Sequence, residues 1–380
     1  MLLLLLARPL AAGDPIFDQS VLHETRLVMD PNDWLSLRRN YLTNQYYAAN
    51  LTIDGETSEQ VGIRSRGAGS RSGDKPVVKV DFNKYVASQE FHGYKTLVLD
   101  NQFQDPSYLR ERLAYAVFEA MGIPSPQISH TRLYVNDEYW GLYTLVESIG
   151  KPFLQARLGE ESGNLFDYEF AGPYYFEYKG ADPELYIPIP FDPETNEDHL
   201  DSSGLIAFIR AANETPDETF IGEISRFIDV PRFLTYLAVE NALAENDGFV
   251  GYEGMNNFFL YQYGGGNRFV LIPWDKDTAL STPLWPIFQN VNQNVLARRL
   301  LEYPGERQTY LDKIKDAVDS FVNPRWLGPL LRDAYNQIRV WALRDDRKPF
   351  TDEDFEIAVH GIEEVIEARR PDVYGQLGIR

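Results

Sequence analysis

The stretch NRFVLIPWDKDTAL, residues 267–280, decides how the whole chain is interpreted. Arg268 to Pro273 form a run typical of a buried strand, and Asp275 and Asp277 follow shortly after it. Two carboxylates beside a protein core need a counter-charge, and a divalent cation is the usual one. The stretch therefore predicts a core strand that ends in a metal-binding turn, although paired aspartates also occur in ordinary turns.

The chain just before this strand predicts a helix and a hairpin. Asp229, followed by Pro231, is a typical helix start, and the helical pattern runs to about Ala244. Asn257 to Tyr263 then read as a strand, and a glycine-rich turn joins it to the strand at Arg268. The two aspartates thus follow the second strand of a predicted hairpin.

Between that helix and the hairpin lie three further polar candidates. Asp247 stands in an Asn-Asp-Gly sequence, which is common in the turns that end helices. The same position also suits a carboxylate that accepts a proton from a hydroxyl group. Asn256 and Asn257 either complete a turn or offer an amide oxygen to a metal, and the sequence does not choose between them.

A glycine- and serine-rich loop, Gly67 to Gly73, lies between two predicted strands nearer the N-terminus. Successive backbone N–H groups in such a loop can bind phosphate oxygens, although a solvated hairpin loop is the commoner case. Basic residues concentrate around the loop in an otherwise acidic protein: Arg64, Arg66, Arg71 and Lys75.

The strand after this loop carries a lysine on its polar face. Val78 and Val80 share one face, so Lys79 points to the other. Such a lysine usually faces solvent, but in a cleft it could bind phosphates and a carboxylate from a nearby helix. Glu111 and Glu119 lie on the only nearby helix, and either could be that acid.

The helix that carries these two acids has clear predicted ends. Asp105-Pro106-Ser107 combines a capping acid with a proline at the first helical position, which predicts the start. Gly122 predicts the end.

The change in periodicity along the chain predicts an α+β fold with two lobes. We expect a β-rich N-terminal lobe over residues 14–150 and a mainly helical C-terminal lobe over residues 151–380. Residues 166–191, rich in Tyr, Phe, Pro and Gly, predict an irregular insertion. Residues 1–13 fit either a clipped signal peptide or an unstructured leader. A signal peptide would place the protein outside the cell, at its surface or in a periplasm.

Composition excludes several classes of function. The 380 residues carry 57 acidic and 36 basic side chains, a formal net charge of −21, which argues against nucleic-acid binding. There is no cysteine, so thiolate catalysis and cysteine-ligated metals are excluded. The histidines lack the His-x-x-x-His spacing of helical zinc sites. No later segment has the roughly 20 apolar residues of a membrane span.

The order of these elements is that of protein-kinase phosphoryl transfer: glycine-rich loop, strand lysine, helix, a hairpin with its turn at Asn136-Asp137, a second helix, Asp, Asn, strand and Asp. The literal strings His-Arg-Asp and Asp-Phe-Gly are absent. From about residue 24 to 280 the chain resembles the CotH kinase family, the spore-coat protein H group of atypical protein kinases. The stretches that carry this resemblance are VGIRSRGAGSRSGDKPVVKVDFNKY, DPSYLRERLAYAVFEAMGIPSP, RLYVNDEYWGLYTLVE, AENDGFVGYEGMNNFFLYQY and FVLIPWDKDTAL.

The resemblance implies an atypical protein-kinase-like bilobal fold, ATP, Mg²⁺ or Mn²⁺, and transfer of phosphate to Ser or Thr of a protein substrate. It implies a nucleotide-binding role for the loop and for the strand end near a lobe hinge: Arg66, Gly67, Ser70 and Glu147. Lys79 would hold the phosphates and Asp247 would be the catalytic base. The metal ligands would be Asn257, Asp275 and Asp277, with Asn256 an alternative to Asn257 and either aspartate the principal carboxylate.

Two other functions compete with a kinase. Some proteins of this family act as surface adhesins or coat-assembly components, so the fold could serve binding with little catalysis. A secreted metal-dependent hydrolase would use the carboxylates, but it would leave the glycine-rich loop and Lys79 without a role. The protein substrate, the preferred cation and the oligomeric state stay open.

Overall fold

The computed structural model describes residues 13–67 and 69–379, which form two compact units. The barrel unit comprises the described residues up to Asn101, Gln127–Val146 and Arg344–Arg347. The helical unit comprises Gln102–Pro126, Glu147–Leu343 and the described residues from Lys348 on. Apart from Gly13, the predicted leader lies outside the described residues.

The barrel unit is a closed β-barrel. Its elements are β1 His23–Met29, α1 Pro31–Arg39, β2 Tyr47–Ile53, β3 Glu56–Ser65, β4 Val78–Asp81, β5 Thr96–Asp100, β6 Ile128–Val135 and β7 Glu138–Glu147. The strands are ordered β1-β2-β3-β4-β5-β7-β6, and β6 closes the barrel by pairing in parallel with β1.

Two tight turns make the barrel hairpins. Asp54 and Gly55 have φ values of 49° and 92° between β2 and β3, and Asn136 and Asp137 have 49° and 66° between β6 and β7. Positive φ at both central residues matches the right-handed twist of the flanking strands. In the sequence, Asp54-Gly55 and Asn136-Asp137 predict hairpin turns, because Asn, Asp and Gly tolerate this conformation best. The antiparallel pairing of the flanking strands confirms both predictions.

The barrel interior is filled by alternate residues of its strands. Along β4, Val78 and Val80 are buried in this core, while Lys79 and Asp81 are only half-buried. The predicted orientation of Lys79, opposite the apolar face, is therefore confirmed. Other members of the core cluster include Leu27, Leu51, Val61, Ile63, Leu97, Leu99, Leu133 and Leu145.

The helical unit contains a small sheet and most of the helices. Its helices are α2 Arg110–Ala120, α3 Lys151–Leu158, α4 Ser203–Glu214, α5 Phe220–Ile224, α6 Val230–Ala242, α7 Val295–Leu301, α8 Pro304–Ser320, α9 Leu327–Ala342 and α10 Asp352–Leu377. Its strands are β8 Asn164–Tyr168, β9 Phe191–Pro193, β10 Phe258–Gln262 and β11 Phe269–Pro273, arranged in the antiparallel order β11-β10-β8-β9.

The hairpin predicted before the paired aspartates is β10–β11, with Phe258 opposite Pro273. Strands β8 and β9, which extend this sheet, border the irregular segment predicted over residues 166–191. The segment between them contains only a short 3₁₀ turn, Pro183–Leu185, among its described elements. The predicted insertion thus connects two strands, and its first residues belong to β8.

The helix predicted to start at Asp105 begins instead at Arg110. Tyr108 has a φ of 61°, a left-handed conformation that no α-helix can contain. Asp105 still stabilises the helix start, because its carboxylate accepts a hydrogen bond from the Arg110 backbone nitrogen at 2.9 Å. The helix predicted from Asp229 is confirmed as α6, whose N-cap Asp229 accepts from the Arg232 backbone nitrogen at 3.0 Å.

The predicted α+β class is confirmed by these sheets and helices, while the kinase-like two-lobed arrangement and a boundary at residue 150 stay predictions. Across the ranges 13–67 and 69–379, none of the helices has an apolar stretch of the length that crossing a bilayer requires.

Candidate functional site

The glycine-rich loop joins β3 to β4 in the barrel unit. Gly67 has a φ of 100°, and a Cβ atom built there would lie 2.6 Å from Oγ of Ser70. A side chain at this position would therefore strain the backbone and collide with Ser70. Arg66 and Ser70 are half-buried, and Ala68 lies outside the described residues. The loop is thus shaped around a glycine, as the predicted phosphate-binding role requires, but that role stays a prediction.

Two arginines hold this loop in place through its backbone. The Arg71 guanidinium donates to Gly67 O at 2.6 Å and to Asn44 Oδ1 at 2.7 Å, and Arg38 donates to Gly73 O at 2.8 Å. The sequence had placed Arg71 among the basic residues that could bind phosphate. The structure instead gives its guanidinium a scaffolding role.

Lys75, another of those basic residues, is buried in the barrel unit. Its Nζ donates to Asp345 Oδ2 at 2.7 Å and to Leu142 O at 2.8 Å, and the lysine is only 1% exposed. The same Asp345 oxygen accepts the Leu142 backbone N–H at 3.0 Å. Gly141 makes room for this carboxylate, since a Cβ there would lie 2.6 Å from both of its oxygens. Lys75 is therefore a structural cation.

Lys79 lies in the middle of β4 on the outer face of the barrel. Its register partners are Arg64 on β3 and Val98 on β5. The side chain of Lys79 is half-buried.

Glu147, predicted near a hinge, is the last residue of β7 and is 2% exposed. Its carboxylate lies 3.6 Å from the Arg157 guanidinium of α3. This ion pair is compatible with a structural role, and the predicted cofactor role stays a prediction.

One polar group of the helical unit is centred on Asp247. Asn256 Nδ2 donates to Asp247 Oδ1 and Asn257 Nδ2 donates to Oδ2, each at 3.0 Å. The sequence had left open which asparagine matters, and the structure shows that both contact Asp247. The two amides fix the plane of the carboxylate, which is a useful property in a proton acceptor.

The environment of Asp247 perturbs its titration. Burial raises the pKa of Asp247 above its usual 3.8, and Glu253 adds to this effect. The amides of Asn256 and Asn257 and the charge of Lys276 oppose it, but the pKa stays raised. A raised pKa makes a carboxylate a stronger base, which favours proton acceptance.

Asn257 also joins Asp247 to the segment that carries the paired aspartates. Its backbone oxygen accepts the Trp274 N–H at 3.2 Å, beside Asp275. Asn257 and Asp275 both have left-handed backbones, with φ values of 55° and 50°. The structure therefore brings together Asp247, Asn257 and the start of the Asp275–Asp277 turn, and Asp277 is buried there.

Helix α2 contacts the same turn through a tyrosine that the sequence did not single out. The Asp275 backbone N–H donates to Tyr115 Oη at 3.1 Å, and Tyr115 donates to Glu111 Oε1 at 2.7 Å. Burial, reinforced by Glu111, raises the pKa of Tyr115 well above 10, so the phenol keeps its proton. In the sequence, the only signal for the Tyr115–Glu111 contact was the spacing of four residues between them on a predicted helix.

The same contacts distinguish the two acids of α2. Glu111 is buried and bonded to Tyr115, whereas the Glu119 side chain is 43% exposed and lies 3.5 Å from Arg157. Of the two, Glu111 is thus the one connected to the aspartate turn.

The donor set suits a hard divalent cation. Asp275, Asp277 and Asn257 offer carboxylate and amide oxygens, which Mg²⁺ and Mn²⁺ prefer. The amide nitrogen of Asn257 is committed to Asp247, so its side-chain carbonyl oxygen is the atom that it can offer. Among residues 13–67 and 69–379, no group of three or more His, Asp or Glu side chains is already arranged as a metal cage.

Comparison with known proteins gives the family. The model of the CotH kinase protein family matches residues 63–372. Inner spore coat protein H of Bacillus subtilis is 23% identical over 341 residues, which cover 87% of this chain and 91% of that protein. Invasin CotH7 of Rhizopus delemar is 22% identical over 349 residues, which cover 85% of this chain and 56% of that protein.

Among solved structures, the proinflammatory kinase CtkA of Helicobacter pylori shares 9% identity at a TM-score of 0.33, covering 80% of this chain and 95% of that one. The family match includes the glycine-rich loop, Lys79, Asp247 and the aspartate turn and extends over most of the chain. The resemblance inferred from the sequence motifs is confirmed: the chain belongs to the CotH kinase family.

Proposed function

We propose that the protein is a secreted or surface-associated kinase that transfers the γ-phosphate of ATP to Ser or Thr of a protein substrate. The observation that carries this proposal is the position of Asn257, which donates to Asp247 and accepts from the backbone beside Asp275. One residue thereby ties a proton acceptor to a carboxylate turn of the kind that kinases use for metal–nucleotide binding.

In this proposal Asp247 accepts the proton of the incoming hydroxyl group. The amides of Asn256 and Asn257 hold its carboxylate in one orientation, and partial burial keeps it basic. Asp275, Asp277 and the Asn257 carbonyl oxygen hold Mg²⁺ or Mn²⁺, which when bound neutralises charge on the phosphates.

The loop residues Arg66, Gly67 and Ser70 and the strand residue Lys79 bind the phosphates of ATP, and Glu147 belongs to the same nucleotide-binding set. Support for these roles comes from membership of the family and from the glycine geometry of the loop. Lys79 lies on the strand face opposite the buried Val78 and Val80.

The test is a paired measurement on the whole chain. Calorimetry measures ATP affinity with and without Mn²⁺, and labelled ATP measures phosphate transfer to a Ser-rich protein. We expect cation-dependent ATP binding by the wild type, and Asp247→Asn to keep that binding while turnover falls on the order of a hundredfold. Asp229→Asn is the matched control, since Asn caps a helix as well as Asp.

A second candidate function is a binding protein of a surface or coat with little catalysis. The observation in its favour is that similar proteins are called an inner spore coat protein and invasins. Cation-dependent ATP binding without any phosphate transfer would favour this function. Normal transfer by Asp247→Asn would overturn the role of Asp247 as the base.

A further inference from the structure

Two buried carboxylates contact the segments of the candidate site, and the sequence motifs assigned a role to neither of them. Glu240 is on α6 and Glu245 lies three residues after that helix ends. They are 1% and 2% exposed. Each of them contacts both the loop that carries Asp247 and the turn that carries Asp275 and Asp277.

Glu240 forms the first of these bridges. The Lys276 ammonium donates to Glu240 Oε1 at 2.9 Å, and the Phe249 backbone N–H lies 3.1 and 3.0 Å from the two oxygens of the same carboxylate. Lys276 is completely buried. The lysine that separates the two aspartates in sequence thus binds Glu240, and its contact anchors the turn to the loop.

Gly248 shows how closely the loop approaches Glu240. A Cβ atom at Gly248 would lie 2.4 Å from Glu240 Oε1. The glycine of the Asn-Asp-Gly sequence therefore makes room for a buried carboxylate next to Asp247, which is a more specific reason than a general preference of turns for glycine.

Glu245 forms the second bridge. Its Oε1 accepts the Asp247 backbone N–H at 2.9 Å and the hydroxyl of Thr278. The anchoring residues of the turn, Lys276 and Thr278, alternate in sequence with the candidate metal ligands Asp275 and Asp277. Each anchor has its own glutamate, and each glutamate also holds a backbone nitrogen at or near Asp247.

We propose that Glu240 and Glu245, through Lys276 and Thr278, are positioning residues that keep the Asp247 loop and the Asp275–Asp277 turn in one register. The inference rests on the proposed kinase function for its kinetic consequence. Its structural content, the coupling of loop and turn, stands independently of turnover. Lys276 in this arrangement is an anchor and does not bind phosphate.

The first test uses Thr278→Val, which removes the hydroxyl with little change in volume, and Thr278→Ser, which keeps the hydroxyl. Small misplacements of catalytic groups cost up to about a hundredfold in rate. We expect Thr278→Val to lower kcat by roughly tenfold or more with KM for ATP changed less than about threefold, and Thr278→Ser to recover most of the loss. A uniform loss of folded protein would lower the active fraction without separating the valine from the serine variant in this way.

The second test does not depend on activity. Hydrogen exchange followed by mass spectrometry reports opening of residues 245–256, which contain the Phe249 amide. We expect Lys276→Met to accelerate exchange there, while Lys315→Met, which removes a half-buried ion pair with Asp319, leaves it unchanged. Thr278→Val should also accelerate it.

The two readouts separate the possible failures. If the wild type transfers no phosphate, the kinase proposal fails, but exchange still decides the coupling. If Thr278→Val and a folded Lys276→Met both show wild-type exchange in residues 245–256, the bridges do not position the loop and the inference is overturned. If Lys276→Met does not fold, the comparison of Thr278→Val with Thr278→Ser decides alone.

Discussion

The hydroxyl of Tyr115 accepts the backbone N–H of Asp275 at 3.1 Å, so a residue of helix α2 directly contacts the proposed metal turn. Tyr115 is buried, and its own proton goes to Glu111. Any displacement of α2 against the turn must break this contact. Tyr115→Phe removes only the hydroxyl group that makes this contact, so it is a conservative test of the site.

Tyr115→Phe should weaken cation-dependent ATP binding without unfolding the protein. The change leaves the Asp275 N–H and the Glu111 carboxylate without that partner, a loss of about 1–3 kcal/mol for a buried group. Calorimetry with Mn²⁺ and ATP measures the effect. Tyr186→Phe is the control, because it also removes a buried hydroxyl that bonds backbone groups, at Lys179 and Gly180. Equal ATP affinity in both variants would remove Tyr115 from the site.

Lys79→Ala should lower ATP affinity and turnover while the thermal unfolding temperature changes little. The side chain lies outside the barrel core, so its removal opens no core cavity. Lys75→Met is the informative comparison, since it leaves Asp345 buried without its cation and should cost about 3–5 kcal/mol of stability. If Lys79→Ala binds and transfers phosphate normally, an arginine of the loop must take the phosphate-binding role.

Asp275→Asn and Asp277→Asn should each weaken Mn²⁺-dependent ATP binding. Losing a residue that only supports a metal ligand typically costs roughly 10–100-fold in affinity, and we expect loss of a ligand charge to cost at least as much. Titration of ATP at several Mn²⁺ concentrations separates the cation affinity from the nucleotide affinity. Unchanged cation dependence in both variants would contradict the proposed metal site.

Stability should depend on pH through Asp192 of β9. Burial, together with nearby acids, raises the pKa of Asp192 from 3.8 to about 6. The neighbouring acids are Glu169, Glu194 and Glu197. Since the folded state holds this proton more tightly, Asp192 costs no stability below pH 3.8, and its full cost is present above pH 6.

Asp192→Asn should therefore raise the unfolding temperature at pH 7.5 and have little effect near pH 4. Thermal unfolding across that range measures the difference. The exposed Asp201→Asn is a suitable comparison, because the pKa of Asp201 is lowered by its hydrogen bonds to Ser203, so its substitution should not stabilise at any pH. A gain for Asp192→Asn that persists unchanged at pH 4 would show that its charge is not the cause.

Local features of the fold were predictable and contacts between distant residues were not. The hairpins at Asp54 and Asn136 depend on two residues each, and the sequence predicted both. The prediction that a helix starts at Asp105 was wrong because Tyr108 adopts a left-handed backbone conformation. A tyrosine seldom does so without support from its surroundings. Likewise, nothing near Lys75 indicates a partner 270 residues away.

The candidate site shows the same limit. Motif order pointed to Asp247, Asn257 and the two aspartates, and the structure places the first two in contact. Tyr115, Glu240 and Glu245 each contact a backbone nitrogen, and backbone partners leave no residue-type signature in a sequence. The side-chain partners of the two glutamates, Lys276 and Thr278, lie 36 and 33 residues away in sequence, so local patterns did not reveal them either. For Glu240, Gly248 was an available signal, since a glycine beside a polar candidate often marks a close approach.

The Lys75–Asp345 pair limits where the chain can be truncated and which segments related genes can exchange. A polypeptide ending near residue 150 would contain every strand of the barrel, yet it would bury a lysine without its anion. Such a fragment should express poorly or aggregate, and proteolysis near residue 345 should damage a barrel completed two hundred residues earlier. We therefore expect that the barrel strands do not form an independent domain. A gene segment that encodes these strands would have to be exchanged together with the segment that encodes Asp345.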